Sequence, residues 1–209
     1  MVERAEEKGQ HDQVTFTDRL RISFKWFLDP IANGLNRMGV RANMLTLAGL
    51  VGITVSAYFL SQGRFTLGGA IFLLMTPLDA LDGPLARLRG EPKNFGAFVD
   101  SVTDRYSELV IYAGLLWYAQ ENRDAFFVMT IYFAAFGSVL VSYIRARAQS
   151  VGLEAKVGWF SRVERYLILG PALLFNIPFI GVTIVALGSN ATALQRILYV
   201  RQVSRKQKA

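Results

Sequence analysis

Cysteine is absent from this 209-residue chain, and histidine occurs once, as His11. Without cysteine there is neither a disulfide framework nor a thiolate metal site. His11 falls in the charged stretch MVERAEEKGQHDQV, residues 1–14, where a solvated role is expected rather than a catalytic one. Neither side chain is therefore on offer as a nucleophile. The start also lacks the short apolar core of a cleavable signal peptide. No internal repeat and no low-complexity tract is visible, so neither an array nor a two-domain arrangement is expected.

What is present is apolar. The chain is 52% hydrophobic with mean hydropathy +0.30, and the apolar residues are bunched into long runs. A spanning helix needs about 20 mostly apolar residues. Stretches at roughly 43–61, 66–88, 95–119, 125–148, 160–177 and 179–200 meet that length. The expected fold is thus an all-α integral membrane protein with six transmembrane helices in one bundle, residues 39–202. A mobile tail, 1–14, and a basic tail, 203–209, flank it.

Between tail and bundle, residues 15–38 predict juxtamembrane amphipathic helices. Phe16, Leu20, Phe24, Phe27 and Leu28 recur three or four apart, with Arg19, Arg21 and Lys25 on other faces. Such a helix suits the membrane interface. Asp29-Pro30 reads as an N-cap followed by proline at the first helical position. A second short helix through about Met38 is then expected to carry Ile31, Leu35 and Met38 inward.

The net charge of +7 and pI near 9.9 would suit a nucleic-acid binder by themselves. Their placement excludes that class. With both termini cytoplasmic, only Arg64 and Arg123 of the 23 Lys and Arg residues fall in outer connections. That is the positive-inside bias, and it sets the basic residues against anionic lipid headgroups. The expected location is the cell membrane, multi-pass, with the polar site described next on the cytoplasmic side.

Four aspartates interrupt the apolar runs. The chain reads Asp79-Ala-Leu-Asp82-Gly83-Pro-Leu-Ala86-Arg87 and, eight residues later, Gly96-Ala-Phe-Val-Asp100-Ser-Val-Thr-Asp104. A carboxylate in a membrane helix costs about 2.5–3.5 kcal/mol on insertion scales and normally has a partner. Asp79 and Asp82 are three apart, Asp100 and Asp104 four apart, so each pair shares a helix face. A reversal at Gly90-Glu-Pro92 is expected to bring the two pairs together. Oxygen ligands alone favour a hard cation, Mg²⁺ or Mn²⁺. Four carboxylates would balance two such ions, the device used for in-line displacement at phosphorus. Gly83 and Gly96 clear the backbone for a bulky substrate, Ala86 keeps the face low, and Arg87 suits a diphosphate oxygen or a neighbouring carboxylate.

The pattern D-x2-D-G-x2-A-R-x8-G-x3-D-x3-D, complete at residues 79–104, resembles the signature of the CDP-alcohol phosphotransferase family. The resemblance extends over most of the chain, with a juxtamembrane helix and six transmembrane helices. It implies an enzyme that moves a phosphatidyl-type group from a CDP-linked lipid to an acceptor hydroxyl, releasing CMP, in phospholipid biosynthesis. By position it implies metal-ligand roles for Asp79, Asp82, Asp100 and Asp104, with Asp104 also the general base. It places Asp82, Gly83, Ala86, Arg87 and Gly96 around CDP. Ala42-Asn43-Met-Leu-Thr46 resembles the family's Pro-Asn-x-x-Thr entry to the first span, with Ala42 in place of proline. Asn43 and Thr46 become cytidine contacts on that ground. Family habit also implies a homodimer, through aromatic and small residues of spans three and four.

For the acceptor, Ser142 and Arg145 end span four, Arg162 opens span five and Arg196 lies in span six. Their convergence on the metal side would suit an acceptor carrying its own phosphate. Snorkelling arginines at helix ends would look the same. The set resembles family members that make phosphatidylinositol phosphate from inositol 1-phosphate, although many of those have lysine where Arg145 stands. Glycerol 3-phosphate is the alternative acceptor. Arg147 and Arg165 are expected to be structural, and Glu108 to extend the polar stripe or pair with an arginine. Two rivals remain: a prenyltransferase, which would carry two distant aspartate-rich motifs, and a divalent-cation transporter, which would place its acids at mid-membrane within a repeat.

Overall fold

The computed structural model describes residues 29–89 and 93–206. Every regular element among them is helical, with no strand. The tail at 1–14, the amphipathic stretch before residue 29, the Gly90–Pro92 reversal and the last three residues lie outside the described residues.

The described part of helix α1 covers residues 29–37, and α2 is Ala42–Ser61. Helix α3, Phe65–Met75, continues through a 3₁₀ turn at Thr76–Leu78 into α4, Asp79–Arg89. Then follow α5, Lys93–Glu121, α6, Ala125–Ser150, α7, Arg162–Leu174, and α8, Pro178–Lys206. The break at Thr76–Leu78 divides a span expected to be continuous. Pro77 has no N–H to return to the carbonyl one turn back, so the chain tightens into 3₁₀ there. The Thr76 hydroxyl donates to the Phe72 carbonyl at 2.9 Å across the same turn.

Turns are built from the residues that tolerate them. Gly63 takes φ +73° between α2 and α3, and Arg64 N–H closes that end on the Phe59 carbonyl at 3.0 Å. Asp124 caps α6 by accepting from Phe127 N–H at 2.9 Å. Between α7 and α8, Asn176 takes φ +59° and Ile177 N–H reaches the Ala172 carbonyl at 2.8 Å. Asn is among the few side chains that visit this region readily.

Among the described residues, four helical stretches are long and apolar enough to cross a membrane: Ala42–Ser61, Phe65–Leu88, Ala125–Ser150 and Pro178–Lys206. The expected spans three and five are helices too, but of a different kind. Helix α5 is 29 residues long and carries Asp100, Asp104 and Arg105 in its first half and Glu108 just past its middle. Helix α7 has only 13 residues, about 20 Å at 1.5 Å per residue. The chain reaches it through an irregular segment from residue 151 to 161.

One apolar core joins α2, α3, α5, α6, α7 and α8 through residues such as Leu60, Phe72, Leu115, Ile131, Leu173 and Val182. Small residues let the backbones approach, as they do in membrane bundles. At Gly114 of α5 a Cβ would stand 2.4 Å from the Ala57 carbonyl oxygen of α2, and at Gly69 of α3 it would stand 2.6 Å from the Leu174 nitrogen of α7. A satellite cluster of Leu45 and Leu81 with Leu35 and Leu78 fastens α1, α2 and α4. Leu35 of α1 packs on this cluster and Ala32 is buried, whereas Ile31 and Met38 are exposed, against expectation. Residues 32 and 35 lie three apart on one stripe, and through Leu35 that stripe meets the Leu45 and Leu81 side chains of α2 and α4. Asp29, expected as a cap, is already within the helix.

Candidate active site

Alternating chain direction brings the start of α2, the α4 segment, the starts of α5 and α7 and the ends of α6 and α8 to one end of the bundle. Close contacts fix the directions. Phe72 of α3 meets Tyr166 of α7, and Asn190 of α8 donates to the Phe133 carbonyl of α6 while Arg196, further on, donates to that of Val141. All the candidate residues therefore share that end.

Asp104 is the best-defined of them. Its side chain is 12% exposed, with Arg162 Nη1 on Oδ1 and Arg105 Nη1 3.6 Å from Oδ2. Arg105 also donates to the Ser101 carbonyl at 2.6 Å, which holds it along its own helix. Arg162 comes from another element, the first turn of α7, and its guanidinium carbon lies 4.9 Å from the centre of the Tyr166 ring. That distance suits a cation–π contact. Tyr166 is buried and meets Phe72 edge-on at 4.9 Å. Asp100, one turn before Asp104 on α5, is half-buried.

One turn further into the bundle, Glu108 meets Arg165. The guanidinium donates twice, Nε to Oε1 at 2.6 Å and Nη2 to Oε2 at 3.0 Å, and Nη1 reaches the Phe160 carbonyl at 3.3 Å. Both residues are buried, Arg165 to 1% exposure. Two arginines of α7 thus face two carboxylates of α5 in two rungs. The spacing signals were there, four residues on α5 and three on α7. Which acid meets which arginine depends on the register of two helices far apart in sequence.

The remaining acceptor candidates are placed differently. Arg196 is buried, donating from Nε to the Val157 carbonyl at 2.9 Å and from Nη1 to the Val141 carbonyl. It ties the segment before α7 to the body of α6. Arg145 is exposed and near enough to Arg196 to act on it electrostatically, and Ser142 is half-buried one turn before. Arg147, expected to be structural, donates to the Ser150 hydroxyl at 3.0 Å.

Around the α4 segment, Gly83 and Ala86 are half-buried and Arg87 is exposed. The Asp79 and Asp82 side chains lie outside the described residues. Asn43 is exposed, and buried Thr46 donates to the Ala42 carbonyl at 3.1 Å. A Cβ at Gly96 would meet nothing within 4 Å, so the backbone there borders open space. Among the described residues no three acids or histidines converge as a metal cluster. Asp100 and Asp104 are described carboxylates one turn apart on α5, and cationic groups already compensate Asp104. Carboxylates so placed fit a hard divalent ion.

The CDP-alcohol phosphatidyltransferase family profile matches residues 40–199. The chain belongs to this family. As a CDP-alcohol phosphatidyltransferase it is a transferase of phospholipid synthesis. It is 33% identical over 188 residues to the phosphatidylinositol phosphate synthase of Mycobacterium tuberculosis, covering 85% of this chain and 87% of that one. It is 36% identical over 180 residues to the archaetidylinositol phosphate synthase of Pyrococcus horikoshii, covering 86% and 93%. The crystal structure of the Mycobacterium tuberculosis synthase with CDP-DAG bound superposes with a TM-score of 0.77 at 30% identity, over 83% of this phosphatidyltransferase and 92% of that chain. A second structure of that synthase, with manganese and citrate, gives 0.78 at 30% identity over 83% and 88%.

Proposed function

We propose that this phosphatidyltransferase moves a phosphatidyl group from a CDP-diacylglycerol-type donor to the hydroxyl of a phosphorylated polyol, inositol 1-phosphate, releasing CMP. The observation that carries this reading is the Arg162 guanidinium seated on the Asp104 carboxylate. It puts a cation suited to a phosphate beside the group suited to take a hydroxyl proton. An acceptor with both groups would be held by one and activated by the other. Relatives named for inositol phosphate products support the same acceptor.

In this reading Asp79, Asp82, Asp100 and Asp104 hold two divalent cations, Mg²⁺ or Mn²⁺. When bound, these would neutralise the diphosphate and steady the charge that builds on it. Asn43, Thr46, Asp82, Gly83, Ala86, Arg87 and Gly96 line the CDP site. Asp104 takes the acceptor proton as the acceptor oxygen bonds to the lipid-bearing phosphorus and the bond to CMP breaks. Ser142, Arg145, Arg162 and Arg196 form the acceptor-phosphate region, with Arg162 nearest the chemistry. Six crossings are assigned to α2, α3 with α4, α5, α6, α7 and α8. The site and both termini face the cytoplasm, and the enzyme works as a homodimer.

The test is an acceptor panel. Purified protein in CDP-diacylglycerol micelles with Mg²⁺ is given inositol 1-phosphate, glycerol 3-phosphate or free inositol, and CMP release is followed. Inositol 1-phosphate is expected to be turned over at least tenfold faster than free inositol. Equal rates with the two would remove the phosphate from recognition, and preference for glycerol 3-phosphate would replace the acceptor.

A further inference from the structure

Two stacked ion pairs join α5 to α7, and they differ in what they can do. The outer pair, Asp104 with Arg162, has side chains 12% and 24% exposed. A ligand entering from water can reach it. The inner pair, Glu108 with Arg165, is sealed: its side chains are 6% and 2% exposed, and the Arg165 fork takes both carboxylate oxygens. A bidentate guanidinium–carboxylate contact admits one relative position and orientation of its partners. The third guanidinium nitrogen adds the Phe160 carbonyl, in the segment that leads into α7.

Position on the helices links the inner pair to binding. Asp104 and Glu108 share a face of α5, and Arg162 and Arg165 share a face of α7. Fixing the inner rung therefore fixes where the outer arginine arrives. Tyr166, held edge-on by Phe72, supplies the floor under the Arg162 guanidinium. A slide of α7 by one residue would carry Arg162 about 1.5 Å along the axis and about 100° around it, off both Asp104 and the ring.

We infer that Glu108 and Arg165 are positioning residues for the acceptor: their buried pair sets the register of α7 on α5 that holds Arg162 over Asp104. This rests on the reading of Arg162 as an acceptor-phosphate ligand. It gives the inner pair a task distinct from stability. Replacing a buried ion pair by apolar residues of similar volume is often neutral or stabilising, whereas register is the better attested use of such pairs.

The test compares three proteins with the native enzyme, each assayed in CDP-diacylglycerol micelles with inositol 1-phosphate or glycerol 3-phosphate, whichever the native enzyme turns over. The double variant Glu108→Leu/Arg165→Met removes the inner pair without leaving a lone buried charge. It should keep a near-native melting temperature and its KM for the CDP-lipid within about twofold, while KM for the acceptor rises about tenfold. Glu108→Gln should show the same split in KM, with a lower melting temperature. Arg162→Met tests the underlying reading and should raise the acceptor KM at least as much. If Arg162→Met raises it and the double variant does not, the positioning role is wrong and the reading of Arg162 stands. If Arg162→Met leaves the acceptor KM at the native value, that reading fails, whatever the inner pair does.

Discussion

Replacing Gly158 by alanine should weaken acceptor use without dismantling the bundle. Gly158 sits at φ +113°, in the segment before α7, and a Cβ there would lie 2.4 Å from Thr192 Cγ2. An L side chain at that φ costs about 1–3 kcal/mol. The methyl overlap cannot be relieved by turning Thr192, because its hydroxyl accepts from Phe160 N–H at 3.1 Å and the residue is buried. Losing that hydrogen bond would add about 0.5–1.5 kcal/mol. The local cost is therefore about 1.5–4.5 kcal/mol, built from these two terms.

The segment has little room to absorb such a cost while keeping its place. Arg196 holds the Val157 carbonyl, Thr192 holds Phe160 N–H and Arg165 holds the Phe160 carbonyl. Two residues later comes Arg162, so displacement of the segment reaches the site. Part of the cost should surface in binding: about 1.4 kcal/mol is a tenfold rise in acceptor KM. The rest should appear as a melting temperature lowered by a few degrees, at about 2–4 °C per kcal/mol for a chain of this size. Thermal unfolding in detergent and initial-rate kinetics for both substrates read the two parts separately. Thr192→Ser keeps the hydroxyl and removes the obstructing methyl, so Gly158→Ala/Thr192→Ser should recover some of the loss. A Gly158→Ala protein with native melting temperature and native acceptor KM would refute the reasoning. A double variant no better than the single one would show that the methyl contact is not what costs.

Asp104→Asn should keep the melting temperature within a few degrees and reduce CMP release by about 100- to 10,000-fold, the usual worth of a general base; near-native turnover would end that role for Asp104. Chelation of divalent ions should stop CMP release, and Mg²⁺ or Mn²⁺ should restore it, whereas turnover unaffected by chelator would contradict the metal assignment. Gly114→Val should lower stability directly: its Cβ would fall 2.4 Å from the Ala57 carbonyl oxygen. Overpacking costs about 1–3 kcal/mol, and rigid backbone as the obstacle points to the upper end. A native melting temperature for this variant would mean that α2 and α5 separate freely.

Helix positions were largely legible because apolar runs and turn residues agree. The stretch expected at 125–148 is the helix Ala125–Ser150, and Asn176-Ile-Pro178 makes the tight turn expected of it. The break at Thr76–Leu78 was not read, since hydropathy continues across Pro77 while the hydrogen-bond ladder does not. Nor was the face of α1, where Ala32 rather than Met38 turns inward. Sequence spacing leaves several stripes of α1 open, and only the neighbours choose among them. At the site, residue types and spacing marked Asp100, Asp104 and Arg162. They gave no sign that Arg196 spends donors on two backbone carbonyls. That use follows from the course of an irregular segment, which periodicity does not describe.

Energetics explain why the two rungs between α5 and α7 should be unequal. An ion pair reached by water is worth about 0–1 kcal/mol, so a doubly charged phosphate can take over its arginine cheaply. Breaking a sealed pair by removing one partner costs about 3–5 kcal/mol. Asp104 with Arg162 stands toward the first case and Glu108 with Arg165 in the second. Were both rungs sealed, Arg162 would be locked on Asp104 and the acceptor would have to break a buried pair to bind. Were both open, α7 would have no fixed register, and Arg162 would be ordered anew with each acceptor at the expense of affinity. In the proposed reading, one exchangeable rung above one permanent rung would give a cation that stays aimed at the Asp104 carboxylate and is still released to a ligand.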